Sequence, residues 1–580
     1  MSDARELLVG GLTAGAFLLC AAFLSQVALI VVPFLRRKPA SPGDAADYEW
    51  HFVIPCLDEE SVVEGTVRYL LDTFPAGRVW CVDDGSHDAT AAILRHLARS
   101  TDRLHVVTRH APRARTGKGP ALNAAWQAIT SSVGPDVDRR RVLVGVLDAD
   151  SRLDPGGPAM VAGSSYFGDN GVGAVQIQVR VVDRIDQHTG GEPPQPRKRL
   201  VLMQDVEFTT VIAALQTFRK YTGSVGMGGN GQFTRLSVLD GVAAEHGSPW
   251  HGSLLEDFEL GVHVLLGGDR TEYCHDTFVV QEGLSSIRRL VRQRSRWCQG
   301  SMQCIRYLWP VLKSPAVRTP AAAEIAHFLF LPWLQIIGAS IYAACVGLLV
   351  WFAATAPGGP IAWFEAGAWG FLPLFVLFGI GPLVLWGPLY RRMTDRSLSR
   401  RRAFLIGVLH WPYTYVHHAA VWAALFRFLG ARRNWQKTAR AAATPDWTRT
   451  LSAPERARPS FELVDALVAN GGRATLAWDT SSRSGRSVPG HTNARQGTDP
   501  ATATWRITHA AASRPTAGGF TGRVRPDARS GAHHRGGGTG GSRHVTSERH
   551  GRPADVGRRV AGRLRPADGL ERRHGRGHVR

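Results

Sequence analysis

Uncharged apolar runs bracket a middle segment in which short apolar stretches alternate with amphipathic ones. The first run, Leu7–Leu35, has no charged residue over 29 positions. About 20 apolar residues suffice to cross the hydrocarbon core of a bilayer. A cleaved signal peptide has a shorter apolar region and a small-residue cleavage site, so this run predicts a retained anchor. Arg36, Arg37 and Lys38 follow it, whereas Asp3, Glu6 and a single Arg5 precede it. The bias of basic residues toward the cytoplasmic side puts the chain after residue 36 in the cytoplasm. A second uncharged run, Ile325–Phe364, is broken by Pro357-Gly358-Gly359-Pro360, a turn signal. The pattern predicts one span over Ile325–Phe352 and another over Ala366–Tyr390. A cytoplasmic loop with Arg391, Arg392, Arg396, Arg400, Arg401 and Arg402 comes next. Ala403–Phe426 is long enough to cross, but His410, Pro412, His417 and His418 interrupt it. Arg432, Arg433, Lys437 and Arg440 follow, so a re-entrant or interfacial segment would keep both basic clusters on one side.

Between the runs, residues 48–310 read as strands alternating with helices. His51–Pro55, Arg78–Val82, Leu104–Thr108 and Val142–Leu147 are short apolar strands, and Ala89–Ala98 is one of the helices between them. This alternation predicts an α/β fold, a mostly parallel sheet with helices on both faces, plus transmembrane helices outside it. Ligands of such sheets bind beyond the carboxyl ends of the strands. Asp83-Asp84 and Asp148-Ala149-Asp150 lie at two such ends, which puts both acidic clusters on one rim.

Charge changes the picture at the far end. The formal net charge is +21. Residues 451–580 carry 23 arginines, no lysine and 10 acidic residues, a net +13, which leaves +8 for the first 450. The basicity is therefore mostly a property of the tail. Its Gly, Ala, Arg, Thr, Pro and His cannot bury a core, so a disordered extension is expected. Seven cysteines at 20, 56, 81, 274, 298, 304 and 345 form no CxxC pair. That gives neither a disulfide framework nor a zinc signature. The domains expected are an N-terminal anchor (1–47), a cytoplasmic domain (48–310), a C-terminal membrane region (311–445) and a basic tail (446–580).

Four clusters carry candidate chemistry. Asp148 and Asp150 place two carboxylates on one side of an extended chain. A hard divalent cation takes oxygen ligands, and Mg²⁺ commonly uses one or two carboxylates plus phosphate oxygens. Asp83 and Asp84 precede Gly85 and Ser86, where a carboxylate can accept from a base imide or a ribose hydroxyl; Ser86 or Asp88 can cap the following helix. Thr116-Gly117-Lys118-Gly119 sets a cation in a glycine-rich loop, placed to meet phosphates or the Asp cluster, though the phosphate-loop pattern GxxxxGK[ST] is absent. Glu256-Asp257 opens a helix over Phe258–Leu266, and offers Asp257, then Glu256, as a base for a hydroxyl. Gln293-Arg294-Ser295-Arg296-Trp297 lies on a basic amphipathic stretch, where Arg296 can fork onto phosphate and Trp297 can stack on a sugar ring.

Asp84, Asp148/Asp150, Glu256-Asp257 and Gln293-x-x-Arg296-Trp297, in that order, resemble the motifs of membrane-integrated processive family 2 glycosyltransferases, such as cellulose, hyaluronan, chitin and poly-N-acetylglucosamine synthases. The resemblance covers about residues 48–440. Gly228–Phe233 resembles the acceptor-side loop of that family, and Trp435–Arg440 the basic stretch after its last membrane segments. Leu255 departs from the family, which often has Thr there. The resemblance implies an inverting GT-A fold and a UDP-sugar donor held by Asp83, Asp84, Lys118, Asp148, Gln293 and Arg296. It implies Mg²⁺ or Mn²⁺ on Asp148 and Asp150, Asp257 as base with Glu256 beside it, and Trp297 and Asn230 at the acceptor. The product expected is a growing β-linked polysaccharide; the alternative is a single transfer to a lipid. A multi-pass protein of the inner or plasma membrane follows, with no nucleic-acid partner.

Overall fold

A computed structural model describes residues 2–185, 196 and 198–430. The tail and the Trp435–Arg440 stretch lie outside the described residues. Eight strands form one sheet: β1 (Glu49–Cys56), β2 (Arg78–Asp83), β3 (Leu104–Thr108), β4 (Val142–Val146), β5 (Arg152–Leu153), β6 (Val172–Val182), β7 (Gln232–Arg235) and β8 (Arg270–Glu282), in the order β3-β2-β1-β4-β7-β6-β8-β5. The strands read from the sequence, β1 to β4, pair in parallel. Beyond β4 the sheet is mixed, because β7 runs antiparallel to both β4 and β6, and β5 antiparallel to β8.

Both faces are covered, as the near-continuous apolar character of β1, β2 and β4 requires. Strand alternation sends Phe52 and Ile54 to one face and Val53 to the other. The first face packs on Val67, Leu70, Leu94 and Leu97. The second packs on Leu122, Ala125 and Ile129 of the helix Lys118–Ser132. Parallel registers align Cys56 with Asp83 and Val53 with Val146, so the carboxyl ends of β1, β2 and β4 share one rim.

Seven helices position the site or border it: α1 (Ser2–Leu35), α2 (Lys118–Ser132), α3 (Glu256–Leu266), α4 (Ile287–Gln303), α5 (Thr319–Thr355), α6 (Trp386–Met393) and α7 (Arg400–Leu429). Two apolar stretches are long enough to cross a membrane, Phe17–Leu35 and Thr319–Thr355, with mean hydropathies of 2.4 and 2.1. The first turns of α5 belong to the core, where Ile325 and Leu329 are buried. Further along, Ile337, Val350 and Trp351 are more than half exposed.

Two expectations need correction. Ala366–Tyr390 is not one unbroken span. It is helical from Phe371 on, in pieces that abut, Phe371–Leu374, a π turn over Phe375–Ile380 and Gly381–Val384, with one interruption at Leu385 before α6. Pro373, Pro382 and Pro388 each lack the N–H that a continuing α-helix needs. The segment 403–426 does not turn back on itself. It lies within the continuous helix α7, which carries Pro412 in its interior.

Buried ion pairs join these helices to the sheet domain. Glu324 of α5 accepts from Arg219 Nε at 2.8 Å, both side chains being buried. Asp205 takes Arg180 of β6 at 3.2 Å and the Tyr390 hydroxyl of α6 at 2.7 Å. Removing one partner of such a pair strands the other charge, at a cost of about 3–5 kcal/mol. Glu324→Ala is therefore expected to lower the urea midpoint of the detergent-solubilised protein by a corresponding amount. An unchanged midpoint would show that Arg219 is stabilised by something other than this carboxylate.

Candidate active site

The site is assembled from the rim of the sheet, two helix starts and the middle of a third helix. Gly117, at φ 136°, lets the chain turn into α2, so that Lys118 is the first helical residue and points along the rim. Its ammonium donates to Asp148 Oδ1 at 2.8 Å and to the Gly229 carbonyl at 2.6 Å. Asp148 follows β4, as expected from the strand-end rule. A Cβ on Gly229 would stand 2.9 Å from Lys118 Nζ and 3.1 Å from Asp257 Oδ2. The bare glycine backbone is thus what allows ammonium and carboxylate to meet there.

Glu256 and Asp257 open α3, where the helix dipole favours negative charge. Asp257 Oδ1 accepts from the Phe258 N–H at 2.7 Å. Burial and the neighbouring Asp257 push Glu256 up to about 8, against the pull of Lys118. Burial raises Asp257 to about 6, held back by the Phe258 N–H and Lys118. Burial works against the Lys118 ammonium too, yet Asp148, Glu256 and Asp257 together keep it above its ordinary value. Burial thus favours the protonated form of both carboxyls, more strongly on Glu256.

These groups line a cleft of about 530 Å³. Asp148, Asp150, Lys118, Glu256 and Asp257 sit in it with Gln293, Arg296 and Trp297 of α4. The cleft also has an apolar part, lined by Phe208, Ile212, Leu215, Met227, Phe258 and Phe328, the last from α5. Two oxygen donors, Asp148 and Asp150, fit a divalent cation that completes its shell with phosphate oxygens and water. Among the described residues no cluster of three or more His, Cys, Asp or Glu makes an all-protein metal cage.

Not every residue read from the sequence faces the cleft. Asp83 and Asp84 are buried at the end of β2 and do not line it. Asp83 accepts from the Ser86 N–H at 3.0 Å, and Asp84 is ion-paired with Arg109. Burial still raises Asp84 despite that arginine. Neither Ser86 nor Asp88 is the N-cap of the next helix, which is Ala89: Asp88 Oδ1 accepts from the Thr90 N–H at 3.0 Å from one position further out, and the Ser86 hydroxyl accepts from the Asp58 N–H. Asn230 does line the cleft, but its amide is engaged at both ends. Its oxygen accepts from the Asp148 N–H and the Ser151 hydroxyl, and its nitrogen donates to Gln281. These bonds tie it to the Asp148–Asp150 turn.

Sequence reasoning missed the group that holds Trp297. Glu207 opens a π turn (Glu207–Ile212) and is buried. It takes Arg294 at 2.8 Å and the hydroxyl of Tyr413 from α7. The Arg294 guanidinium then lies 4.0 Å from the Trp297 ring centroid, and Phe208 meets that ring edge-on. A glutamate inside an apolar helical stretch was the available signal.

With this geometry in hand, comparison with known proteins is informative. Residues 49–300 match the model described as glycosyltransferase-like family 2. A β-monoglucosyldiacylglycerol synthase of Synechocystis sp. is 27% identical over 310 residues, 52% of this chain and 58% of that protein. A protein of the same name from Trichormus variabilis is 27% identical over 285 residues, 48% of this chain and 54% of that one. The chain thus spans little more than half the length of these curated relatives. Among solved structures, a mannosyltransferase from Pyrobaculum calidifontis in complex with GDP-Man and Mn²⁺ covers 74% of this chain and 99% of its own, at 17% identity and a TM-score of 0.46. Residues 49–300, which hold the carboxylates, Lys118 and the Gln293–Trp297 helix, are a glycosyltransferase family 2-like domain.

Proposed function

We propose that the protein transfers a single sugar from a UDP-sugar to the hydroxyl of a membrane lipid, with inversion at the sugar carbon. The observation that carries this reading is the mixed lining of the cleft. Lys118, Asp148, Asp150, Glu256 and Asp257 share it with apolar side chains, among them Phe328 from the long apolar helix α5. A lipid alcohol uses both kinds of lining, whereas a growing polysaccharide offers little to the apolar residues. The names of the relatives, β-monoglucosyldiacylglycerol synthases, support the same choice, so the polysaccharide product expected from the sequence gives way to the lipid one. In this reading residues 1–47 and 311–445 hold the 48–310 domain against the bilayer.

The chemistry follows from the pair at the start of α3. Ionised Asp257 takes the proton of the acceptor hydroxyl as its oxygen bonds to the sugar carbon. The bond to the diphosphate breaks on the opposite face and its electrons leave with UDP. Asp148 and Asp150 would hold Mg²⁺ or Mn²⁺, which neutralises charge on the departing diphosphate. Lys118, which holds Asp148, and Arg296, forked and permanently charged, stand near the same oxygens. Trp297 gives the acceptor-side sugar or headgroup a flat apolar face.

Four outcomes are expected. Membranes supplied with a panel of UDP-sugars and either diacylglycerol or an oligosaccharide should yield a lipid carrying one sugar; a ladder of polymer lengths would overturn the reading. Transfer (kcat/KM) should fall as pH drops below about 6, because Asp257 gains its proton there, and level off above. Asp257→Asn should abolish that limb and cost about 10²–10⁴-fold in rate while donor binding persists; near-normal turnover would move the base to Glu256. Asp150→Ala and EDTA should each weaken UDP binding measured by calorimetry, and full binding in EDTA would exclude a metal link.

A further inference from the structure

Outside the cleft, the junction of α6 and α7 concentrates positive charge without a partner. Arg391, Arg392, Arg396 and Arg400, with Pro388 and Ala403, line a cavity of about 640 Å³. Arg400, Arg401 and Arg402 occupy the first turn of α7, which has no acidic residue. Cations at a helix N-terminus oppose the helix dipole. The one nearby carboxylate, Asp395, is turned onto the Ser397 N–H and hydroxyl. Among the described residues none of the four lining arginines forms an ion pair; Arg391 donates to the Leu398 carbonyl, and the other three make no bond within the fold. Arg392, Arg396 and Arg400 are exposed.

Such an arrangement attracts an anion. The neighbouring surface says what kind. Phe404, one turn from Arg400 on the same face, is 55% exposed, Leu405 58% and Leu409 40%. A free anion would satisfy the arginines and leave these side chains bare. An anion carrying acyl chains covers both. Basic pockets between helices at a membrane surface are suited to anionic headgroups.

We propose that this pocket binds an anionic phospholipid, with its phosphate among Arg391, Arg392, Arg396 and Arg400 and its chains along Phe404, Leu405 and Leu409. The site is separate from the cleft and independent of the reaction assigned to it. It is a second lipid contact that seats the domain on an anionic membrane.

The test uses the full chain in neutral detergent, supplemented with dioleoylphosphatidylglycerol, dioleoylphosphatidylcholine or inorganic phosphate at equal concentration. Thermal unfolding and retained lipid are read. Phosphatidylglycerol should raise the transition and co-purify; phosphatidylcholine and phosphate should not. The triple variant R392Q/R396Q/R400Q removes only side chains that bond to nothing in the fold, and should lose the shift. Each arginine should be worth about fivefold in lipid affinity, so R396Q alone, on the exposed loop, reports the same effect if the triple variant folds poorly. R95Q/R99Q, which takes charge from a helix on the other side of the sheet, should keep the shift. An equal shift with inorganic phosphate, or retention of the phosphatidylglycerol shift by R392Q/R396Q/R400Q, would overturn the proposal.

Discussion

One ammonium among several carboxylates governs this site. Lys118 meets Asp148 directly, and Glu256 and Asp257 act on its charge from the start of α3. These groups come from three elements distant in sequence, and each is where it is because of a backbone feature. Gly117 turns the chain into α2. Gly119 lets α2 approach the loop before α3, since a Cβ there would fall 2.7 Å from the His251 carbonyl. Gly229 leaves room for Lys118 and Asp257 together. Burial is what raises Glu256 and Asp257 most, and for Glu256 the neighbouring Asp257 adds to it, against the pull of Lys118. A cation brought with the donor would offset the remaining negative charge.

The second dependence is mechanical. Glu207 holds Arg294, and the Arg294 guanidinium lies over the ring of Trp297, three residues on. That glutamate is held in turn by Tyr413, so the ion pair joins α4, the π turn and α7. Lone buried charges are expensive, and a satisfied pair fixes a unique arrangement. Glu324 with Arg219 and Asp205 with Tyr390 do the same for α5 and α6. The apolar helices are thus bolted to the catalytic domain by buried charges as well as by packing.

How much of this was legible follows from range. The strands β1 to β4 and the acids at their ends were readable because each is a local apolar run with a local stop. The strands β6, β7 and β8 were not, since β8 is rich in charged and polar residues and becomes a strand only by pairing with β6. Glu256-Asp257 and Gln293–Trp297 were found by their residue types, and the cleft brings them together. What the sequence could not show is that Asp84 pairs with Arg109, 25 residues on, and that Asn230 bonds to Asp148, Ser151 and Gln281, because these are contacts of the folded chain. Arg294 looked like one more basic residue on an amphipathic helix; only the fold shows Glu207 waiting for it. The unbroken course of α7 was hidden by Pro412 and three histidines, which tertiary packing tolerates inside a long helix.

The relation of cleft to bilayer can be taken one step further from α5 alone. Its first turns are core: Ile325 and Leu329 are buried, and Glu324 is pinned to Arg219. Past Pro332 the helix is bare and apolar, with Val350 and Trp351 exposed. An apolar surface of that extent is not left to water. Phe328 stands between the two regimes, packed against Phe258 at 4.5 Å between ring centroids and lining the cleft. Phe258 directly follows Asp257. The chain therefore places the Asp257 carboxylate one residue from the point where the sheet domain becomes an apolar surface. A hydroxyl at the head of a lipid would meet Asp257 there without its chains having to leave an apolar environment.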